Sequence, residues 1–285
     1  MPILSIQSHV AYGHVGNAAA VFPLQRLGWD VWPVHTVLFS NHPGYGDFGG
    51  AVTPLTTVEA VLDGIAARGA LSDCEAVLSG YVGQAALGRA ILDSVARTRA
   101  ANPGALYVCD PVMGDRDGGV YVSDDIPDFM RASAVPAADI VLPNHFELEL
   151  LTGGRADTLE AAVKAARALR ATGPRIVVVT SFERADAPPA VVEMLLATEQ
   201  GTWLIETPRL AFPIAPNGAG DLIAALFTGH YLRLRDPVAA LAEAVAAVYA
   251  VLDETSRLGR RELALVAAQA ALADPPARFI PRRIA

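Results

Sequence analysis

The sequence predicts an α/β fold: one domain over residues 1–285, with a central, mostly parallel sheet flanked by helices on both faces. Three observations point there. Short apolar runs rich in Val, Ile and Leu alternate with segments of helical apolar spacing along nearly the whole chain. Several of those runs stop in loops containing Gly, Pro or Asp, as strands do where they meet a ligand-binding edge. No internal repeat or linker divides the chain, and hydrophobic residues make up 52% of it, enough for a substantial core.

Taken in order, residues 3–7 are an apolar run ending in Ser8-His9 and leading into Tyr12-Gly13-His14-Val15-Gly16. Residues 17–27 place Ala20, Val21, Leu24 and Leu27 at helical spacing before Gly28, and 29–39 read as the next strand. This βαβ opening puts Ser8 at the carboxyl end of the first strand, where open α/β sheets bind ligands. A hydroxyl that merely caps a turn accounts for Ser8 equally well. Next comes a long polar loop, Ser40-Asn41-His42-Pro43-Gly44-Tyr45-Gly46-Asp47-Phe48-Gly49, which contains a literal GxGxxG from Gly44 to Gly49. A dinucleotide fingerprint must open straight into a helix, and here Ala51-Val52-Thr53-Pro54 intervenes. The segment reads instead as a mobile substrate loop.

Thr56-Thr57-Val58-Glu59 has the capping-box pattern and predicts a helix to about Arg68. Residues 75–79 predict a strand ending in Gly80-Tyr81-Val82-Gly83, 84–101 a helix, and 106–109 a strand closing on Asp110-Pro111-Val112-Met113-Gly114. An acid in the position of Asp110 can meet a metal ion or phosphate through water. Gly114-Asp115-Arg116-Asp117-Gly118-Gly119 reads as a flexible, solvated loop. Residues 140–142 are a short buried strand before Pro143-Asn144-His145-Phe146-Glu147. Asn144 can cap the following helix with Glu147 in its first turn. That pair is either a capping box alone or a hard oxygen site for Mg²⁺, usually through waters. A helix at 158–172, a β-branched strand at 175–180 and an antiparallel pair at 190–196 and 202–205 follow, with helices at 237–253 and 262–273 near the end.

Between the last two groups lies Pro216-Asn217-Gly218-Ala219-Gly220-Asp221, running into the apolar segment 222–232. Helix N-termini present unpaired N–H groups and the positive end of the macrodipole, and glycines let a phosphate approach the backbone. Asp221 would sit beside such an anion as a base, or simply be a favourable acid in a first helical turn.

Composition removes several function classes. A net charge of −8 argues against nucleic acid or an anionic membrane as partner. Lys164 is the only lysine and falls on an exposed helix face, which excludes a P-loop and leaves no lysine for Schiff-base chemistry. Any phosphate chemistry must rest on helix N-termini, a metal ion and arginines. Cys74 and Cys109 form no metal-ligand pattern, and Cys109 reads as a small core residue. The N-terminus lacks the basic flank and long apolar core of a signal peptide, and no apolar run reaches membrane-spanning length, so a soluble cytoplasmic protein is expected.

The motifs Ile6-Gln7-Ser8-His9, Phe39-Ser40-Asn41-His42, Gly80-Tyr81, Cys109-Asp110-Pro111-Val112-Met113-Gly114, Pro143-Asn144-x-x-Glu147 and Gly218-x-Gly220-Asp221 occur in one order over nearly the whole chain. In this the sequence resembles the pyridoxal kinases of the ribokinase-like superfamily, in their bacterial short form. The resemblance implies a ribokinase-like αβα domain that transfers the γ-phosphoryl group of ATP to the 5′-hydroxymethyl of pyridoxal or a related vitamer. It implies Asp221 as base and Gly218, Ala219 and Gly220 as the anion hole. Asp110 and Glu147 would organise Mg²⁺ and the nucleotide phosphates. Leu142, Thr180, Pro208, Arg209, Leu210 and Ala211 would lie along ATP, with a monovalent cation such as K⁺ near Thr180 in some members. Ser8 would contact the pyridine ring, with His42, Pro43, Gly44 and Tyr81 around it. A homodimer is the usual assembly.

Three departures from the family pattern stand out. Pro43 replaces a frequent threonine, Asn217 replaces an apolar residue or threonine, and Phe212-Pro213 occupies a region that often carries a glycine. The first bears on vitamer preference and the other two on ATP affinity. The alternatives are a kinase of the same superfamily acting on hydroxymethylpyrimidine or a sugar, and a non-catalytic pyridoxal-binding protein. A dinucleotide-dependent oxidoreductase rests only on the displaced GxGxxG.

Overall fold

The computed structural model describes residues 1–276 and 278–285. In chain order the elements are β1 (Pro2–Val10), α1 (Asn17–Arg26), β2 (Asp30–Phe39), β3 (Gly50–Val52), α2 (Leu55–Ala67), β4 (Ala76–Ser79), α3 (Ala85–Ala101), β5 (Leu106–Cys109), β6 (Gly114–Asp115) and β7 (Gly119–Val120). Two short turns follow, α4 (Ile126–Phe129) and α5 (Val135–Ala137), and then β8 (Ile140–Val141), α6 (His145–Thr152), α7 (Leu159–Arg170), β9 (Ile176–Phe182), β10 (Val191–Thr198) and β11 (Gly201–Pro208). The chain closes with α8 (Ala219–Leu234), α9 (Pro237–Arg257), α10 (Gln269–Ala273) and β12 (Arg282–Arg283).

Ten strands form one sheet in the order β12-β11-β10-β9-β8-β5-β4-β1-β2-β3. The middle six, from β9 to β2, are mutually parallel, and antiparallel strands close both sides. Alternating side chains of single strands feed two cores. Leu4, Ile6, Val177 and Val179 pack against α2, α3, α6 and α7, while Ile3, Ile176 and Val178 pack against α1, α8 and α9. Burial on both faces explains why these strands read as continuous apolar runs. Residues 222–230 of α8 are all buried, so this helix is pinned between the sheet and α1 and α9. Each large aliphatic side chain buried there contributes about 1.5–3 kcal/mol, which holds the N-terminus of α8 rigidly at the sheet edge. Among the described residues no helix is long and apolar enough to cross a membrane.

Three local expectations are corrected. The helix at 55–67 starts on Pro54, whose fixed φ of −55 suits the entry, and no side chain caps it; the capping-box pattern at 56–59 lies inside the helix. The loop at 114–119 is a small hairpin, β6–β7, whose turn is closed by Asp115 Oδ1 accepting the Asp117 amide at 3.0 Å. Residues 262–273 are helical only from Gln269: the Ala264 amide donates to Thr255 Oγ1 at 2.9 Å instead of to a carbonyl one helical turn back, and Leu263, Ala264 and Leu265 are buried, at 1–2% exposure.

Candidate active site

Parallel strands present their carboxyl ends at one edge, and the residues singled out by sequence collect there. Ser8 lies inside β1, which runs on to Val10 and not only to residue 7, at the point where its register against β2 shifts between Gln7 and His9. Irregularities of this kind re-aim side chains beside active sites. Tyr81 follows β4, Asp110 follows β5 and Leu142 follows β8. Thr180 sits at a second irregularity, before Ser181 with its φ of 49, and its amide donates to Pro143 O at 2.9 Å. β11 runs antiparallel to β10, which runs antiparallel to β9, so Pro208, Arg209, Leu210 and Ala211 also leave at this edge. The Arg209 guanidinium is engaged with backbone, donating to Pro189 O at 3.2 Å and Val191 O at 3.1 Å.

The acids form one electrostatic group. Asp110 and Glu147 are 5% and 3% exposed. The capping box at α6 is complete: Asn144 Oδ1 accepts the Glu147 amide at 2.8 Å, and Glu147 Oε2 accepts the Asn144 amide at 2.9 Å. Its other oxygen, Oε1, accepts the Met113 amide at 2.9 Å, and Asn144 Nδ2 donates to Gly114 O at 2.8 Å. The loop after β5 and the start of α6 are thereby locked together. Burial pushes the Glu147 carboxyl up to about 7 against these N–H donors. Asp110 is raised well above the usual carboxylate range, first by burial and then by the charges of Glu147 and Asp221. Burial lifts Asp221 to about 6, opposed by the Gly16 amide and its own. Buried oxygen donors that repel one another, with no ion pair among the described residues, are a fit for a hard divalent cation such as Mg²⁺.

Above this group, α8 begins at Gly218 in the left-handed conformation, with φ 86 and no side chain capping the first turn. A Cβ on Gly218 would lie 1.8 Å from His14 O, so only glycine fits there. The first-turn N–H groups and the helix dipole could hold an anion here, with Asp221 in the same turn.

The third component is the loop after β2. His42 Nδ1 accepts the Gly44 amide at 3.1 Å, which leaves Nε2 to carry the proton. Burial lowers the His42 pKa, while Glu262 and Asp115 act to raise it, so the ring is neutral near pH 7. Pro43 opens a short 3-10 turn from Pro43–Tyr45. A Cβ on Gly44 would come within 3.9 Å of Asn217 Nδ2, so this loop faces the glycine turn before α8. Gly16 packs on Ser8: a Cβ there would lie 2.4 Å from Ser8 Oγ. On the other side of the site, Tyr81 O accepts from Thr36 Oγ1 at 2.9 Å.

This arrangement has known counterparts. A family model described as phosphomethylpyrimidine kinase matches residues 51–265. The protein named pyridoxal kinase PdxY in Deinococcus radiodurans is 54% identical, covering 99% of this chain and 96% of that protein. The pyridoxal kinase PdxY of Rubrobacter xylanophilus is 56% identical, over 99% and 97%. The structure of a Leishmania donovani pyridoxal kinase in complex with ADP and pyridoxine is 31% identical, with a TM-score of 0.92 and 100% and 99% coverage. The chain belongs to the pyridoxal kinase family of the ribokinase-like superfamily. The family and the αβα fold expected from the motifs are both borne out.

Sequence reasoning missed several residues at the family's site edge. Gly16 supplies an amide to Asp221. Asn17 binds β1 to β2, with Oδ1 accepting from Ser5 Oγ at 2.7 Å and Nδ2 donating to Val34 O at 3.0 Å. The Tyr121 phenol, next to the hairpin, is raised by burial and by the charges of Glu147, Asp115, Asp110 and Asp221. Glycine at 16 after a strand-end loop was a visible signal; the roles of Asn17 and Tyr121 depend on distant partners and had none.

His145, Glu149 and Asp157 also bring potential metal ligands together. His145 Nδ1 accepts the Glu183 amide at 3.2 Å, so the neutral ring carries its proton on Nε2, the atom facing Glu149. A metal-bound imidazole needs the opposite polarity, donating from the nitrogen that does not hold the metal. Arg155 also occupies both oxygens of Asp157, at 2.9 and 3.0 Å. This cluster is an ion-pair network, not a metal site.

Proposed function

We propose that the protein is an ATP-dependent pyridoxal kinase, a single ribokinase-like domain over residues 1–285, transferring the γ-phosphoryl group to the 5′-hydroxymethyl of pyridoxal. The observation that carries this reading is the position of Asp221. It lies in the first turn of an uncapped helix, electrostatically linked to Asp110 on one side and to the Ser8-packed Gly16 turn on the other. The curated relatives named pyridoxal kinase, at 54% and 56% identity over nearly the full chain, support the choice of acceptor.

In this mechanism Ser8, His42, Pro43, Gly44 and Tyr81 surround the pyridine ring and hold the hydroxymethyl at Asp221. The alcohol is far too weak an acid to ionise beforehand. Asp221 orients it and takes its proton as the oxygen–phosphorus bond forms, a contribution of roughly 10²–10⁴-fold. The N–H groups at Gly218, Ala219 and Gly220 stabilise the charge on the moving phosphoryl group without a lysine. Asp110 and Glu147 would hold Mg²⁺, which neutralises charge on the nucleotide phosphates. Leu142, Thr180, Pro208, Arg209, Leu210 and Ala211 would line the nucleotide, with K⁺ near Thr180. A cytoplasmic homodimer completes the reading. It is supported by the exposed apolar residues Leu38, Phe48 and Val52 at the β2–β3 edge, 51%, 47% and 43% accessible.

The family model is described as phosphomethylpyrimidine kinase, which supports a second reading as a kinase of the same superfamily acting on a pyrimidine such as hydroxymethylpyrimidine. ADP release by the purified protein, measured with Mg²⁺ over pyridoxal, pyridoxine, pyridoxamine and hydroxymethylpyrimidine, tests both. Pyridoxal is expected to turn over fastest. A faster rate on hydroxymethylpyrimidine selects the second reading, and no ADP above background with any acceptor rejects both.

A further inference from the structure

The first part of the expected helix at 262–273 is replaced by a non-helical segment, residues 261–268, whose first two side chains reach the substrate loop. Glu262 uses both carboxylate oxygens. Oε2 accepts the His14 amide at 3.0 Å, and Oε1 accepts a short hydrogen bond from the Tyr45 hydroxyl. Arg261 lays its guanidinium carbon 3.5 Å from the centre of the Tyr45 ring and donates from Nη2 to Gly44 O at 2.9 Å. The base of this segment is immobile: Leu263, Ala264 and Leu265 are buried, and the Ala264 amide donates to Thr255 Oγ1 at 2.9 Å. Gly13, with φ 95, leaves room for the contact, since a Cβ there would lie 2.3 Å from Glu262 Oε2.

The turn that Glu262 grips is the turn on which the phosphoryl side rests. His14 O is the atom that Gly218 packs against, and Gly16 supplies an amide to the Asp221 carboxylate. A single carboxylate therefore touches both the loop around the acceptor and the support of the catalytic turn. We propose that Arg261 and Glu262 are positioning residues, a strap that holds the Pro43–Tyr45 turn closed over the acceptor and in register with Asp221. The proposal rests on the kinase reading for its substrate, though the strap itself is a property of the fold. With the strap intact, the acceptor meets a loop already in its closed form. With it cut, binding must also supply the closure, and apparent affinity falls by the fraction of molecules still closed. Hydrogen bonds to a charged group set the scale of the effect at about tenfold or more.

The test compares wild type with Glu262→Ala, Glu262→Gln, Arg261→Met and Tyr45→Phe. KM for pyridoxal and for ATP, kcat, Tm and hydrogen exchange of the Gly44, Tyr45 and Gly46 amides are measured for each. Glu262→Ala is expected to raise the pyridoxal KM about tenfold and leave the ATP KM within about twofold. The amides of Gly44, Tyr45 and Gly46 should lose protection while those of α8 keep theirs. Glu262→Gln, which keeps one acceptor oxygen, should recover part of the loss. Tyr45→Phe combined with Glu262→Ala should be no worse than Glu262→Ala alone, as expected when one contact is removed from both ends. Should Glu262→Ala fail to fold, Tyr45→Phe and Arg261→Met carry the same comparison with smaller shifts.

Equal rises in both KM values with a fallen Tm mean ordinary structural damage and overturn the proposal, as does an unchanged pyridoxal KM. If wild type itself releases no ADP, the kinase reading fails. The exchange data then decide the strap alone: lost protection at Gly44, Tyr45 and Gly46 supports it, and unchanged protection overturns it.

Discussion

On the proposed phosphoryl side of the site, Glu147 takes hydrogen bonds from the amides of Asn144 and Met113, 3 and 34 residues away. On the proposed acceptor side, Tyr45 is held by Glu262, 217 residues along the chain. The first region is built from strand ends and helix starts, where backbone groups left unpaired by secondary structure do the holding. The second is built from side chains on irregular segments that meet only in the finished fold. A backbone-built site is hard to misplace and supports charge chemistry that fails with small displacements. A side-chain-built loop can open, as a pocket that admits and releases a vitamer must.

Several measurements would break or sharpen that contrast. The largest effect is expected for Asp221→Asn, which keeps the shape of the turn and removes the proposed base: kcat should fall roughly 10²–10⁴-fold with ATP binding retained. A variant with near wild-type turnover would place the base elsewhere. Next comes Gly218→Ala, which puts a Cβ 1.8 Å from His14 O at φ 86. Displacement of the α8 start should lower kcat on the order of 10²-fold, read against Tm to separate misplacement from unfolding.

A third test is the pH profile of kcat. Burial lifts Asp221 to about 6, so it is charged above that pH and protonated below it. Because the base must be charged, kcat should fall about tenfold per pH unit below about 6, and this limb should be absent from the residual rate of Asp221→Asn. Raising the Mg²⁺ concentration should move the limb to lower pH, since a nearby cation favours the charged carboxylate. The smallest effect is expected on the acceptor side. Pro43→Thr restores a hydroxyl and an amide at the edge of the pocket and should change the KM for pyridoxal about threefold, with kcat and the ATP KM unchanged.

The same contrast explains how much could be read in advance. The Asn144–Glu147 box was legible because both of its bonds close within one helical turn. Asp110 was legible because an acid directly after an apolar run marks a strand end. The pattern at 56–59 misled because Pro54 starts that helix by its fixed φ, and a motif carries no notice that another N-cap precedes it. At Gly44–Gly49 the GxGxxG spacing exists, but the chain runs into edge strand β3, not into a helix, so the glycines cannot present a helix N-terminus to a phosphate. Residues 262–268 have the composition of a helix. Their conformation is set by the contact of Glu262 with His14 and of the Ala264 amide with Thr255, which local spacing does not encode.

By itself the sequence determined the alternation of strands and helices, the sheet edge where the candidate site residues collect, the exclusion of lysine-based phosphate binding and the glycine turn that ends in Asp221. These depend on periodicity, residue type and short spacing, which act within a few residues. Only the tertiary structure decided that Asp110 lies within reach of the charges of Glu147 and Asp221, that Gly218 must be glycine because of His14, and that Glu262 reaches Tyr45. Those are contacts between segments far apart in the chain, and they come into being only when ten strands fix where every loop stands.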